Sequence, residues 1–220
     1  TERAAKLAKS NEKEAKAKYE FMLAVQAHVE DGRQARSFEL QDHQRGWMKD
    51  LHLITAKPVL YIANGAEDGF NDNPHLDVVT AHATQEGAEV VAICASIEAD
   101  LADLDAVEAA EFLQEMGLEE PGLDRVIHAG YRLLNLQTFF TAGPQEVRAW
   151  TIRVGDTAPR AAGRIHTDFE KGFIRAEVIG FDDFIACSGE QGAKDAGKWR
   201  LEGKDYVMRE ADVVHFRFNV

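Results

Sequence analysis

The stretch that most constrains this chain is residues 59–69, VLYIANGAEDG. A short apolar run, 59–63, follows Lys57-Pro58 and stops at Asn64. The next strand-like run is 88–95, AEVVAICA, and a helix-forming segment separates the two. Two near-continuous apolar runs flanking a helix predict a βαβ unit with parallel strands covered on both faces. Ligands of such sheets sit at the carboxyl ends of the strands. Asn64 and Glu67 leave one such end, and Cys94-Ala95-Ser96 leaves the other.

The flanking segments read differently. Residues 1–31 lack Gly and Pro and are rich in Ala, Lys and Glu. Ala4, Ala8, Ala15, Met22, Val25 and Val29 form a narrow apolar stripe, as in a helical hairpin or coiled coil. Gly32 ends it, and Ser37 is placed to cap a second helix in which Trp47, Leu51 and Ile54 share a face. The chain opens at Thr1 within this helix-forming run, which suggests a fragment whose N-terminal part is missing. Downstream of residue 70, helices are expected over 76–85, 97–104, 107–116 and 121–134. From Thr138 the texture turns to short strands punctuated by glycine: 146–154, 173–179 and 213–218, with a short helix at 158–163. About 80 residues of this kind predict an α+β domain on a mixed sheet.

Charge narrows the partners. The net charge is −13 over 220 residues, yet residues 51–137 carry 3 Lys/Arg against 16 Asp/Glu, while the two ends are nearly balanced. An acidic centre does not suit a phosphate-backbone binder, although either end could present a basic face. The acids Glu98, Asp100, Asp103, Asp105, Glu108 and Glu111 lack the spacing of a calcium loop and read as solvated helix faces. Two cysteines, Cys94 and Cys187, lie far apart and suit a reducing, cytoplasmic setting. No apolar run approaches the roughly 18 residues of a membrane span, so no membrane partner is expected.

The N-x-x-E pair, Asn64 and Glu67, can read the polar edge of a purine. The carboxylate accepts from ring or exocyclic N–H groups and the amide faces N7, while the backbone N–H groups of Cys94-Ala95-Ser96 reach the same base. An Asx-type turn at a strand end is the rival reading. Phosphoryl transfer needs G-x-x-x-x-G-K-[ST] between a strand and a helix. The one near match, Gly192 to Lys198, is followed by Trp199 and lies in the C-terminal region, so it is read as a decoy. In the C-terminal stretch Arg160, Arg164, Lys171 and Arg175 surround His166 and Phe169, a set able to contact RNA phosphates or an acidic protein face. Asp168 and Glu170 sit among them.

The runs VLYIANGAEDGF, EGAEVVAICASIEADLADLD and EFLQEMGLEEPGLDRVIHAGYRLLNLQTFFTAG closely resemble the YchF family of ribosome-binding, Obg-type ATPases. EVRAWTI, GRIHTDFEKGFIRAEV, GEQGAKDAGKWRLEGKDYVM and VVHFRFNV resemble that family's TGS domain, a ubiquitin-like β-grasp module. The resemblance covers residues 50–220, and residues 1–49 match only in texture. It implies an α/β plus α+β fold with a helical coiled-coil arm (1–56), the C-terminal half of a Rossmann-like P-loop nucleotide (G) domain (57–136) and a TGS domain (137–220). It places Asn64 and Glu67 on the family's base-reading motif, which favours ATP over GTP, and Cys94, Ala95 and Ser96 on a further nucleotide motif. Gly65 stands where relatives carry a larger aliphatic residue over the base, so stacking there should be weaker. The implied whole protein is a monomeric, cytoplasmic ATPase using Mg2+, with the ribosome, as its large subunit or entire, and RNA as partners. The P-loop, switch regions and catalytic His would lie upstream, so this chain alone is expected to be inactive. The rival functions are a non-enzymatic RNA, ribosome or protein docking module, and a GTP-preferring switch.

Overall fold

In the computed structural model, residues 13–143 and 145–219 are described. The chain divides into two compact units, Thr1–Ala129 and Gly130–Val220.

The first unit opens with α1 (Lys13–Glu30), whose buried residues are Phe21, Val25 and His28. They pack with Ala35 and Met48, the latter from α2 (Gln44–Asp50), and Trp47 and Leu51 lie against this cluster. The inward stripe is therefore rotated from the one expected. Phe21 and His28 take the place of Val29, which is 40% exposed, because the aromatic ring has more apolar surface to remove from water. Ala4 and Ala8 lie outside the described residues. Ile54, expected on the inner face of the second helix, is 81% exposed, and Met48 points inward instead. Ser37 caps no α-helix. It ends a single 3-10 turn, Ala35–Ser37, where its hydroxyl donates to the Gln34 carbonyl at 2.8 Å and meets His28 Nε2 at 2.9 Å.

Next come β1 (Leu60–Asn64), α3 (Pro74–Glu86) and β2 (Glu89–Ile93). The strands are parallel and in register from Leu60↔Glu89 to Asn64↔Ile93, as the apolar runs require. Proline at the first turn and the Asn73 side chain, accepting from the His75 and Leu76 N–H groups, start α3. Gly87 ends it at φ 66°, a left-handed position that glycine adopts without penalty. Then follow α4 (Ala95–Ala102), α5 (Ala106–Glu115), started by an Asp105/Glu108 capping box, and α6 (Gly122–Leu134).

One carboxylate ties the helical arm to the βαβ segment. Glu86, at the end of α3, accepts hydrogen bonds from Gln34 Nε2 (2.7 Å), Arg36 Nη2 (2.9 Å) and Tyr61 Oη (2.8 Å), with His82 Nε2 at 3.5 Å. The Tyr61 hydroxyl first, then Arg36, hold its pKa below the ordinary carboxylate value against partial burial, and Tyr61 is held above its own.

The second unit is a five-stranded mixed sheet in the order β4-β3-β7-β5-β6: β3 (Leu136–Ala142), β4 (Val147–Arg153), β5 (Phe173–Gly180), β6 (Arg200–Glu202) and β7 (Asp212–Phe218). The last strand is central, parallel to β3 and antiparallel to β5. One face packs Phe139, Ile152, Ala176, Val178, Val214 and Phe216 against Ala158, Ala161 and Ala162 of α7 (Ala158–Ile165) and Phe169 of α8 (Thr167–Lys171). On the other face Ile179 and Val213 pack with Ala193 of α10 (Glu190–Asp195) and Phe184 of α9 (Phe181–Ala186). The glycine-rich decoy, Gly192 to Lys198, thus enters helix α10 and is no phosphate loop between a strand and a helix.

A buried acid closes the β6–β7 connection. Asp212 is 2% exposed and accepts from Tyr206 Oη (2.8 Å) and the Arg209 N–H (2.9 Å), with Arg200 Nη2 at 3.7 Å. The Tyr206 carbonyl in turn accepts from the Ala158 N–H, anchoring the start of α7. Burial first, then the Asp212 carboxylate, pushes the Tyr206 phenol up to about 12.

Both nodes make stability depend on pH, with opposite signs. Because Glu86 titrates lower when folded, its contribution is present above the ordinary value of 4.5 and lost as pH falls through the folded pKa. Thermal melts from pH 7 down to 3 should show an acid-side decline in wild type that is smaller in Glu86→Gln. For Tyr206 the contribution is complete below pH 10.0 and lost on the way to about 12. Tyr206→Phe leaves Asp212 short of a donor and should lower stability by roughly 1–3 kcal/mol in urea unfolding at pH 7.

Candidate nucleotide site

The carboxyl ends of β1 and β2 bring the two halves of the expected site together. Asn64 is the last residue of β1 and pairs with Ile93. The ladder runs one step further, with the Gly65 N–H donating to the Ile93 carbonyl at 2.9 Å. Across the strands, Asn64 Oδ1 accepts from the Ala95 N–H at 3.0 Å and so satisfies a free donor in the first turn of α4. That bond orients the amide with its Nδ2 unclaimed by any described residue. The Asx-turn rival is not what forms here: the Asn64 partner is 31 residues away, and the neighbouring turn is closed by Gly69 N–H donating to the Ala66 carbonyl at 2.9 Å.

Glu67 lies exposed on this turn and makes no hydrogen bond among the described residues. Cys94 is 2% exposed, with its Sγ 3.0 Å from Ser96 Oγ. That hydroxyl, then the Ile97 N–H, holds the thiol below its ordinary range against burial. Ala95 and Ser96 are exposed at the start of α4. Asn64, Gly65, Glu67, Cys94, Ala95 and Ser96 therefore form one cluster at one sheet end. A free amide donor, a free carboxylate and the first turn of a helix are suited to the edge of a purine.

Two supporting residues were not singled out as site residues in the sequence. Asn73 caps α3 and also donates from Nδ2 to the Gly69 carbonyl at 2.9 Å, so the helix cap also holds the turn. With Gly65, Phe70 and Leu76 it lines a cavity of about 170 Å³ behind the loop. Glu98, expected on a solvated face, instead accepts from the N–H groups of Gly122 (2.7 Å) and Leu123 (3.0 Å) at the start of α6. A Cβ at position 122 would stand 2.7 Å from that carboxylate and 3.0 Å from Ile93, so a side chain there would push the Glu98 carboxylate away. Local sequence carries no trace of this contact, because its partners are 24 residues apart. No group of three or more His, Cys, Asp or Glu among the described residues is placed to hold a metal ion.

The docking set does not gather on one surface. Arg160 pairs with Asp156 at 3.5 Å, and Arg164 Nε donates to the Thr151 carbonyl at 3.2 Å. His166 caps α8 by accepting from the Asp168 N–H, and Lys171 lies 4.0 Å from the Asp168 carboxylate. These four sit on or beside α7 and α8. Arg175 projects from the opposite face of β5, since its neighbour Ala176 faces those helices.

The parallel pair and its loop define an α/β unit of the kind that takes ligands at its strand ends. Known proteins narrow that class. Residues 136–219 match the YchF-GTPase C-terminal family, described as "Protein of unknown function (DUF933)". The chain is 57% identical over 219 residues to the Haemophilus influenzae "Ribosome-binding ATPase YchF", covering 100% of this chain and 60% of that protein. It is 40% identical over 215 residues to the Oryza sativa (indica) "Obg-like ATPase 1", covering 96% of this chain and 54% of that protein. The structure of the Schizosaccharomyces pombe YchF GTPase superposes with a TM-score of 0.80 at 33% identity, covering 98% of this chain and 60% of that one. The chain belongs to the YchF family, and it spans about 60% of the length of the bacterial relatives it matches.

The two halves of the Asn64 amide can be separated experimentally. Asn64→Ala removes the acceptor for the Ala95 N–H and should cost about 1 kcal/mol in urea unfolding. Asn64→Asp keeps the acceptor and should stay within a few tenths of wild type, while removing the Nδ2 donor.

Proposed function

We propose that this chain is part of a ribosome-associated ATPase in which Asn64 and Glu67 read the adenine base. The observation that carries the reading is the convergence of both residues with Ala95 and Ser96 at the carboxyl ends of β1 and β2. With its Oδ1 committed to Ala95, Asn64 presents Nδ2 to a base acceptor such as N7. Glu67 accepts from the exocyclic amine, a group that guanine carries on a different edge atom. Gly65 offers the base no side chain, so affinity rests on these polar contacts. The relatives' names, ribosome-binding ATPase and Obg-like ATPase, support ATP and the ribosome as ligand and partner.

The domain reading follows the same line. We read residues 1–56, of which 13–56 are described, as the helical arm of a coiled-coil hairpin, 57–136 as the C-terminal half of a P-loop nucleotide domain, and 137–220 as a TGS domain. A five-stranded sheet with its last strand central and parallel to its first supports the β-grasp assignment. The sequence holds no G-x-x-x-x-G-K-[ST] run. Catalysis of phosphoryl transfer depends on charge stabilisation and positioning around the γ-phosphate. A phosphate cradle, Mg2+ and attacking water are therefore supplied by the remainder of the whole protein, which works in the cytoplasm as a monomer. No helix among the described residues is long and apolar enough to cross a membrane.

The purified 220-residue chain should release no phosphate from Mg-ATP, and detectable turnover would overturn this division of labour. In the whole protein, Glu67→Asp should move nucleotide preference from ATP toward GTP in calorimetric titrations. An unchanged preference would remove Glu67 from the base-reading role.

A further inference from the structure

The exposed Glu67 side chain makes no hydrogen bond among the described residues, so its backbone fixes where the carboxylate stands. The turn that carries it, residues 66–69, is tied down at both ends. On the sheet side the Gly65 N–H donates to the Ile93 carbonyl at 2.9 Å. On the helix side the hold is one side chain: Asn73 Nδ2 donates to the Gly69 carbonyl at 2.9 Å. Within the turn the Gly69 N–H donates to the Ala66 carbonyl, also at 2.9 Å. A Cβ on residue 69 would stand 3.0 Å from the Ala66 oxygen and 3.5 Å from Asn73 Nδ2, so the lack of a side chain lets the turn close tightly against the amide. The next residue, Phe70, has the Arg125 guanidinium over its ring at 5.8 Å. The other end of the Asn73 amide has a different task. Its Oδ1 accepts from the His75 N–H (3.0 Å) and the Leu76 N–H (3.3 Å) and caps α3. Capping needs only an oxygen, and asparagine, aspartate and serine perform it about equally well. Gripping Gly69 needs a donor that reaches it while the oxygen caps the helix, and of the three only the amide carries both groups on one planar end.

We propose that Asn73 is a positioning residue for nucleotide discrimination: through Gly69 it holds the turn so that Glu67 meets the amino edge of adenine and not that of guanine. The two purines carry their exocyclic amines on different ring carbons. A carboxylate therefore separates them only while its own position is fixed. On a loosened turn the carboxylate moves to the amine of either base, and discrimination, which is a difference between two affinities, shrinks. A loose turn must also be ordered on binding, which costs affinity that a turn held in advance keeps. Asn73 acts through the Gly69 carbonyl rather than on the base. The inference rests on the reading of Asn64 and Glu67 as base-contacting groups.

The test separates the two ends of the Asn73 side chain. Mg-ATP and Mg-GTP are titrated calorimetrically into the whole protein as wild type, Asn73→Asp, Asn73→Ser and Glu67→Asp. Asn73→Asp and Asn73→Ser keep the cap, so their melting temperatures should stay near wild type. Both lose the grip on Gly69, so the ratio of ATP to GTP affinity should fall about fivefold, the worth of one net hydrogen bond. Serine controls for the charge that aspartate adds. In the 220-residue chain, the Gly69 N–H should exchange with solvent faster in both variants while the amides of α3 keep their protection. An unchanged affinity ratio in both variants, beside a shifted one in Glu67→Asp, overturns this inference and leaves the base reading in place. No shift in Glu67→Asp removes the base reading and this inference with it. A ratio that falls only in step with melting temperature, or a Gly69 exchange rate that stays the same, confines Asn73 to the fold and also overturns the proposal.

Discussion

The parallel pairing of β1 with β2 is the constraint on which the first unit depends. Parallel strands cannot be joined by a tight turn, so a helix has to cross between them. That helix, α3, is fixed at both ends by side chains that have second duties. At its start Asn73 caps the backbone and grips the Gly69 carbonyl, so the loop after β1 is held by the helix. At its end Glu86 gathers Gln34, Arg36 and Tyr61, so the arm is held by the same helix. The candidate nucleotide loop and the arm are thus attached to opposite ends of one rigid element.

The polar atoms of the site divide into those used up by the fold and those left free. Asn64 Oδ1 is consumed by α4, which fixes the direction in which the amide points. Glu67 is left unpaired on a turn closed by the backbone. The Glu67 carboxylate, exposed beside a buried thiol, has no hydrogen-bond partner among the described residues. That is the physical support for the proposed ligand role.

The two faces of the sheet in the second unit are filled unequally. One face is filled by small alanines of α7 against aromatic and branched residues. The Tyr206–Asp212 pair closes the loop beside it. The other face is covered only in part, by α9 and α10. The basic residues around His166 looked like one patch along the chain because residues 160–175 are contiguous there. The strand at 173–180 turns Arg175 away from the rest, because successive side chains in a strand face opposite sides.

Much of the first unit was legible from local pattern. Apolar runs and their punctuation located β1, β2 and α3, because Pro, Asn and Gly mark helix ends and the strands read as apolar runs; the expected cover on both faces is not met in β1, where Ile62 is 50% exposed. The N-x-x-E pair was visible because both residues follow a strand end directly. What the sequence by itself determined was therefore the order and type of elements, and the chemistry offered at Asn64 and Glu67. The tertiary structure alone decided the α1 face, where Phe21 displaced Val29, and the partners of Glu86 and Glu98. It also decided the cross-strand meeting of Arg175 with Arg217. Each of these depends on contacts between residues distant in the chain, and local periodicity carries no information about which distant group arrives.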